Sequence, residues 1–197
     1  IRDRCNGGFS IMSELRTNRI VPRDGLPSGS SGGIIQVKNT TKTDTWAHPG
    51  GFTAYAVVDG LNVVITPTRA DSKILITASV NYATQYWQGY GALYKKVGAG
   101  SYAIVDGAVG AANGSAPRYS FTGLQYDGSV AAKNQYHGTI TYLDSPSTTS
   151  AVTYAIAMRG YSTSYNVYVN RNHDDSRTSN DYYGRGASFI TAMEVCG

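Results

Sequence analysis

Apolar and polar side chains alternate along most of this chain with a period of two. Over residues 73–82, Ile74, Ile76, Ala78, Val80 and Tyr82 fall on one side, and Leu75, Thr77, Ser79 and Asn81 on the other. An extended strand sorts side chains this way, whereas a helix spreads them around its axis. Residues 151–158 repeat the design, with Val152, Tyr154, Ile156 and Met158 as a heavy face and Ala151, Thr153, Ala155 and Ala157 as a light one. The same rule predicts strands over 34–38, 53–58, 62–66, 89–96, 102–105, 119–124, 136–143, 165–170 and 188–195. Turn formers separate them: Asp59-Gly60, Asn113-Gly114, Asp127-Gly128, Asp144-Ser145-Pro146 and Gly184-Arg185-Gly186. No stretch keeps helical periodicity beyond two turns, and no internal repeat is visible. The pattern predicts an all-β fold, an antiparallel β-sandwich, most simply a jelly roll.

The segment 188–195 departs from simple alternation. Phe189, Thr191, Met193 and Val195 face one way, Ile190, Ala192 and Glu194 the other, and both sets contain apolar groups. A strand apolar on both faces is expected to be covered on both. One cover is the core; the other is read as a subunit interface carried by Phe189, Ile190 and Met193. The bland alternative leaves these second faces in solvent. Residues 1–33 hold Arg2, Arg4, Arg16, Arg19 and Arg23 and the run Ser28-Gly29-Ser30-Ser31-Gly32-Gly33. This reads as an extended N-terminal arm and flexible linker, either disordered or anchoring and intertwining, ahead of a β-domain at 34–197. Met12-Ser13-Glu14-Leu15 resembles a translation start, and no apolar run follows Ile1-Arg2-Asp3-Arg4 as a secretory signal would require.

The 197 residues suit one domain. Only 15% are charged and the net charge is +4, too mild and too scattered to suggest nucleic acid. No segment approaches the ~20 apolar residues of a membrane helix. The two cysteines, Cys5 and Cys196, are too few for a disulfide scaffold or a cysteine-rich zinc site, and free thiols are the expectation.

Catalytic and metal motifs are weak. Asp59, Asp71, Asp127 and Asp144 sit in turns, and adjacent Asp174 and Asp175 would point to opposite faces of a strand, so paired carboxylates for glycoside cleavage are not expected. There is no Gly-x-Ser-x-Gly elbow to accompany His48, His137 or His173. The Gly98-Ala99-Gly100-Ser101 and Gly107-Ala108-Val109-Gly110 runs lack the lysine and helix of a phosphate loop and read as hairpin turns. We therefore expect no enzyme, no metal and no cofactor.

Tyrosine is the unusual residue, with 16 copies against 4 phenylalanines and 2 tryptophans. Tyr86, Trp87 and Tyr90 form one group; Tyr161 and Tyr165 a second; Tyr182 and Tyr183 a third. Asn172, His173 and Asp174 add a polar loop. Tyrosine set among Ser, Gly and Asn makes an adaptable contact surface, and its ring stacks on sugars while neighbouring amides bond their hydroxyls. The same composition also suits packing between subunits. These ten residues are the candidate binding set.

Three stretches together carry a family likeness: residues 61–76 (Leu61-Asn62-Val63-Val64-Ile65-Thr66-Pro67-Thr68-Arg69-Ala70-Asp71-Ser72-Lys73 onward), residues 142–154 (Tyr142-Leu143-Asp144-Ser145-Pro146 onward), and Ser188-Phe189-Ile190-Thr191-Ala192-Met193-Glu194-Val195. In this order they resemble the C-terminal head domain of tail-fibre and related virion-surface proteins of tailed, marine-type bacteriophages, over about residues 12–197. The resemblance implies a homotrimeric β-sandwich on the virion surface, assembled in the host cytoplasm. It further implies an arm that attaches to other virion proteins, and loops that bind a host-surface glycan or protein, without nucleic-acid or membrane insertion. A capsid-decorating protein and a free glycan-binding lectin are the alternatives. The family carries no catalytic motif, and the segment before Met12 is foreign to it.

Overall fold

The computed structural model describes residues 33–50, 53–125, 135–175 and 184–195. Among these residues eleven strands alternate with turns: β1 (Ile34–Lys42), β2 (Trp46–Ala47), β3 (Ala56–Ile65), β4 (Lys73–Thr84), β5 (Trp87–Val97), β6 (Ala103–Ile104), β7 (Phe121–Gln125), β8 (Tyr136–Asp144), β9 (Val152–Gly160), β10 (Val167–Val169) and β11 (Ser188–Val195). Among the described residues the helical structure is one 3₁₀ turn, Asp106–Ala108, and no helix is long and apolar enough to cross a membrane.

All strand pairs are antiparallel, and they form two sheets. The first runs β1-β11-β4-β8, with β10 and β2 continuing beside the end of β4; the second runs β3-β9-β5-β7, with β6 also on β5. Counting only the eight long strands in chain order, the first sheet reads first, eighth, third, sixth, and the second reads second, seventh, fourth, fifth. That alternation between two four-stranded sheets is the jelly roll.

The core is built from the inward faces. Ile74, Ile76, Ala78, Val80 and Tyr82 of β4, Ile140 of β8 and Ile190 and Ala192 of β11 pack against Leu61, Val63 and Ile65 of β3, Leu93 of β5 and Val152, Tyr154, Ile156 and Met158 of β9. Each large side chain removed from water this way contributes about 1.5–3 kcal/mol before entropy is counted. Phe121 shows how closely the layers meet: a Cβ on Gly91 would lie 2.1 Å from its ring, and one on Gly138 2.2 Å. Glycine at both positions, one per sheet, leaves the space that this ring fills.

The buried charged groups Asp144 and Glu194 have polar partners. Lys95 Nζ of the second sheet donates to both oxygens of Asp144 in the first (2.9 and 2.7 Å), and the Tyr154 hydroxyl donates to Asp144 Oδ2 at 2.7 Å. Burial, and then this bond to a carboxylate, push the Tyr154 phenol far above its ordinary pKa. Glu194 is 0% exposed. Its Oε1 accepts from the amide and hydroxyl of Thr68 (2.6 and 2.7 Å), and its Oε2 from Gln36 Nε2 (2.6 Å). Burial alone would raise the carboxyl; the hydrogen bonds from Gln36 and Thr68 lead the effects that outweigh it and hold Glu194 below the usual 4.5.

The register gives the sandwich two distinct poles. Val195 pairs with both Ile34 and Lys73, and Val152 with both Ile65 and Val97, so these residues share one end. Thr84, Trp87, Gly160 and Val167 share the other. Along the 12 residues of β4 the poles stand about 36 Å apart. The outer face of the first sheet carries an apolar row straight across four strands: Val37, Met193, Leu75 and Leu143, in register, with Val37 and Leu143 half exposed.

Several expectations need correction. Asp59-Gly60 does not end a strand; Gly60, at φ +75°, forms a bulge within a continuous β3. The run at 107–110 is no hairpin turn: Gly107 and Ala108 lie in the 3₁₀ turn, and the chain then continues as a long irregular segment. Ile190 is 0% exposed and faces the core, so it is not free to meet another subunit; Phe189 and Met193 do face outward. The parity of β11 decides this, because Glu194, Ala192 and Ser188 are buried on the same side as Ile190. The arm and linker, Cys5, Cys196, Tyr182 and Tyr183 lie outside the described residues, Gly33 apart.

Candidate functional site

The aromatic residues gather at the pole opposite Ile34 and Val195. Strands β4 and β5 are joined by Gln85 and Tyr86, and this turn is tied to the loop after β9: Gln85 N donates to Asn166 O at 2.9 Å, and Asn166 N to Gln85 Oε1 at 3.3 Å. The tie brings Tyr86 onto Tyr165 (ring centroids 5.0 Å) and Trp87 onto Tyr161 (5.7 Å). Trp87 has φ +60°, a left-handed conformation that a bulky residue rarely adopts and that stores strain at functional positions. Thr84 Oγ1 donates to its carbonyl at 2.9 Å and holds it there. Trp87 and Tyr161 are both exposed.

His173 joins the first pair, 6.5 Å from Tyr86 and 5.7 Å from Tyr168. Burial lowers its pKa more than Asp174 raises it, and its Nδ1 is buried without a hydrogen-bond partner. Arg171 lies 4.2 Å over Tyr168 and pairs with Asp175 at 3.0 Å, and Arg185 pairs with Asp175 at 2.6 Å. Asn172 departs from the expected contact role: it is 3% exposed and its Oδ1 accepts from Gln135 Nε2, so it fastens the loop from inside. Asn170, also buried, adopts φ +61° while its Nδ2 donates to the carbonyls of Lys42 and Asp44 and its Oδ1 accepts from Ser188.

Tyr90 belongs elsewhere. It sits on the outer face of β5, only 7% exposed, rather than in a loop. Its neighbours there are residues that local sequence did not single out: Tyr119 at 5.1 Å, and Arg159, whose guanidinium carbon lies 5.7 Å from the rings of both Tyr90 and Tyr55. Tyr55 in turn packs on Tyr94 at 5.5 Å, and its hydroxyl donates to Arg118 O. Burial raises the phenols of Tyr55, Tyr90 and Tyr94, and the Arg159 charge opposes that rise. A cavity of about 460 Å³ opens beside Tyr90 and Tyr119, with Gln88, Asn113, Arg118 and Thr122 in its wall. The signal in the sequence was strand parity: Gln88, Tyr90, Ala92, Tyr94 and Lys96 share one face of β5.

Nucleophile chemistry finds one arrangement to weigh. Ser79 Oγ lies 2.8 Å from His137 Nε2, and His137 Nδ1 3.2 Å from Asn81 Oδ1. Ser79 stands in mid-strand between β8 and β11, where amides serve the ladder rather than converge on a developing oxyanion. Among the described residues no three of His, Cys, Asp and Glu converge as metal ligands.

No family model and no curated protein matches this chain. Among solved structures, that of infectious bursal disease virus, Gx strain, is similar over 92% of the chain, at 10% identity and a TM-score of 0.36. The chain spans 44% of that protein's length. A likeness at this level adds nothing to the jelly-roll topology, which stands on the strand order itself.

Proposed function

We propose that this chain is a virion-surface structural protein, the head of a tail fibre or spike of a tailed bacteriophage, which works by binding to the host surface. The observation that carries the reading is the polarity of the sandwich. Residues 1–33 enter the domain at Ile34, at the pole opposite Trp87–Tyr161 and Tyr86–Tyr165. An arm attached to other virion proteins at one end then holds the aromatic loops about 36 Å away, outward. The head acts as a homotrimer packed through the outer face of the first sheet, where Phe189, Met193 and the row from Val37 to Leu143 lie. Three copies offset weak single sites by avidity.

Two measurements test this on the full chain. Light scattering at micromolar concentration should give three times 21.0 kDa. Labelled protein should bind a subset of a bacterial strain panel, and the double variant Trp87→Ala/Tyr161→Ala should lose that binding. A monomer, or a protein that binds no strain, contradicts the reading.

A further inference from the structure

Among the described residues Arg159 is a cation without an anion. Its one hydrogen bond is long, from Nε to Gly160 O at 3.4 Å, and among the described residues no carboxylate pairs with it. The other described arginines with an ion pair, Arg69, Arg118, Arg171 and Arg185, each have a carboxylate partner at 2.6–3.0 Å. Arg159 instead lies between the rings of Tyr55 and Tyr90, which keep it in place at a modest desolvation cost, since a guanidinium is weakly hydrated and stacks on aromatic faces. The register puts it directly across from Tyr90, which stands across from Thr122 on the next strand. Tyr90 also walls the 460 Å³ cavity that Gln88, Asn113, Thr122 and Tyr119 line. That volume falls within the range of small-ligand sites. Half-exposed Tyr119 offers an open ring face, and the amides and hydroxyls around it suit sugar hydroxyls.

We propose that the outer face of the second sheet binds a carboxylate-bearing saccharide, with Tyr119 in the cavity wall against the sugar ring and Arg159, which stands outside that wall across from Tyr90, on the carboxylate. The flat guanidinium presents parallel N–H donors that match the two oxygens of a carboxylate. The phenols beside it stay protonated, because burial raises them, and so bring no competing negative charge; the hydroxyls of Tyr55 and Tyr90 already donate to Arg118 O and Gln88 Oε1. Lys96, over the Tyr102 ring at 4.9 Å further along the same strand, extends the positive character of this face. The inference rests on the host-binding reading and names the chemistry of what is bound.

The test is titration calorimetry on the full chain with hexagalacturonate and with neutral maltohexaose, alongside the strain-panel assay. Binding of the hexauronate should exceed that of the neutral hexasaccharide, weaken as salt rises, and fall about tenfold or more in Arg159→Gln, the loss expected for one charge-assisted pair. Inorganic phosphate at millimolar concentration should not displace it. Thermal melting confirms that the variant is folded; if it is not, Arg159→Lys keeps the charge without the fork and should still lose several-fold affinity, and unchanged affinity in that variant overturns the proposal. Equal binding of acid and neutral sugars, full displacement by phosphate, or an unaffected Arg159→Gln likewise overturns it. A protein that binds cells but no hexauronate overturns this inference and leaves the adhesive reading standing; one that binds neither removes both.

Discussion

Glu194 offers a quantitative test of how the sandwich is closed. Its carboxylate gathers three donors from two places, the amide and hydroxyl of Thr68 in the β3–β4 connection and Gln36 on edge strand β1. In Glu194→Gln the shape is kept, but one acceptor oxygen becomes a donor. If the remaining oxygen stays on Thr68, the new amide N–H₂ faces Gln36 Nε2. Gln36 cannot turn over freely, because the same nitrogen also donates to Thr66 O at 2.7 Å. The change thus loses one bond to a charged group, worth about 1.5–3 kcal/mol, and leaves a buried donor unmet at about 1–3 kcal/mol. Relief of a buried charge offsets part of this, so the net expectation is about 2–4 kcal/mol at neutral pH. The pH dependence follows from the depressed pKa. A carboxylate held below its unfolded value of 4.5 adds stability above that pH and loses it as pH falls through the folded value. The variant has nothing to titrate there, so its deficit should shrink below 4.5. Urea unfolding followed by fluorescence, at fixed protein concentration so that subunit association does not enter, measures both. A deficit under about 0.5 kcal/mol at neutral pH, or one undiminished in acid, refutes the reasoning.

Other predictions follow from the same structure. Asp144→Asn removes the partner of Lys95, whose side chain is 29% exposed, and should cost about 3 kcal/mol in urea midpoint analysis, the low end for a broken buried pair. Gly138→Ala drives a methyl group into Phe121 and should lower stability by about 1–3 kcal/mol, with Phe121→Leu added in the same chain recovering part of the loss. Trp87→Gly removes the left-handed strain and should raise or preserve the melting temperature while weakening attachment to cells; a clear drop in melting temperature would show that the Trp87–Tyr161 contact outweighs the strain.

How far the fold could be read from the chain depended on how local each signal was. The faces of β4 and β9 were legible because each alternates over many residues, and the sandwich followed from them. The bulge at Gly60 was not, because Asp-Gly is also the commonest turn signature and only pairing with β9 distinguishes the two. In β11 both faces carry apolar side chains, so local pattern could not say that Ile190 rather than Phe189 is the core residue; the buried Glu194 on the same side misleads further. The pairs Tyr86–Tyr165 and Trp87–Tyr161 joined residues the sequence had already singled out. Arg159 escaped notice because its ring partners, Tyr55 and Tyr90, come from distant segments that only strand register brings together.

The position of β11 bears on how the molecule is made. It is the last strand described, yet it lies between β1, the first, and β4. Until it emerges from the ribosome and inserts, β1 has no hydrogen-bonded neighbour among the described strands and one margin of β4 stays open, presenting free amides and carbonyls to any passing chain. Bringing β1 together with β11, about 150 residues further along the chain, is an entropically slow step. A synthesis burst of many copies would therefore favour strand exchange among nascent chains, and a folding helper that shields the vacant slot would raise the yield of soluble product.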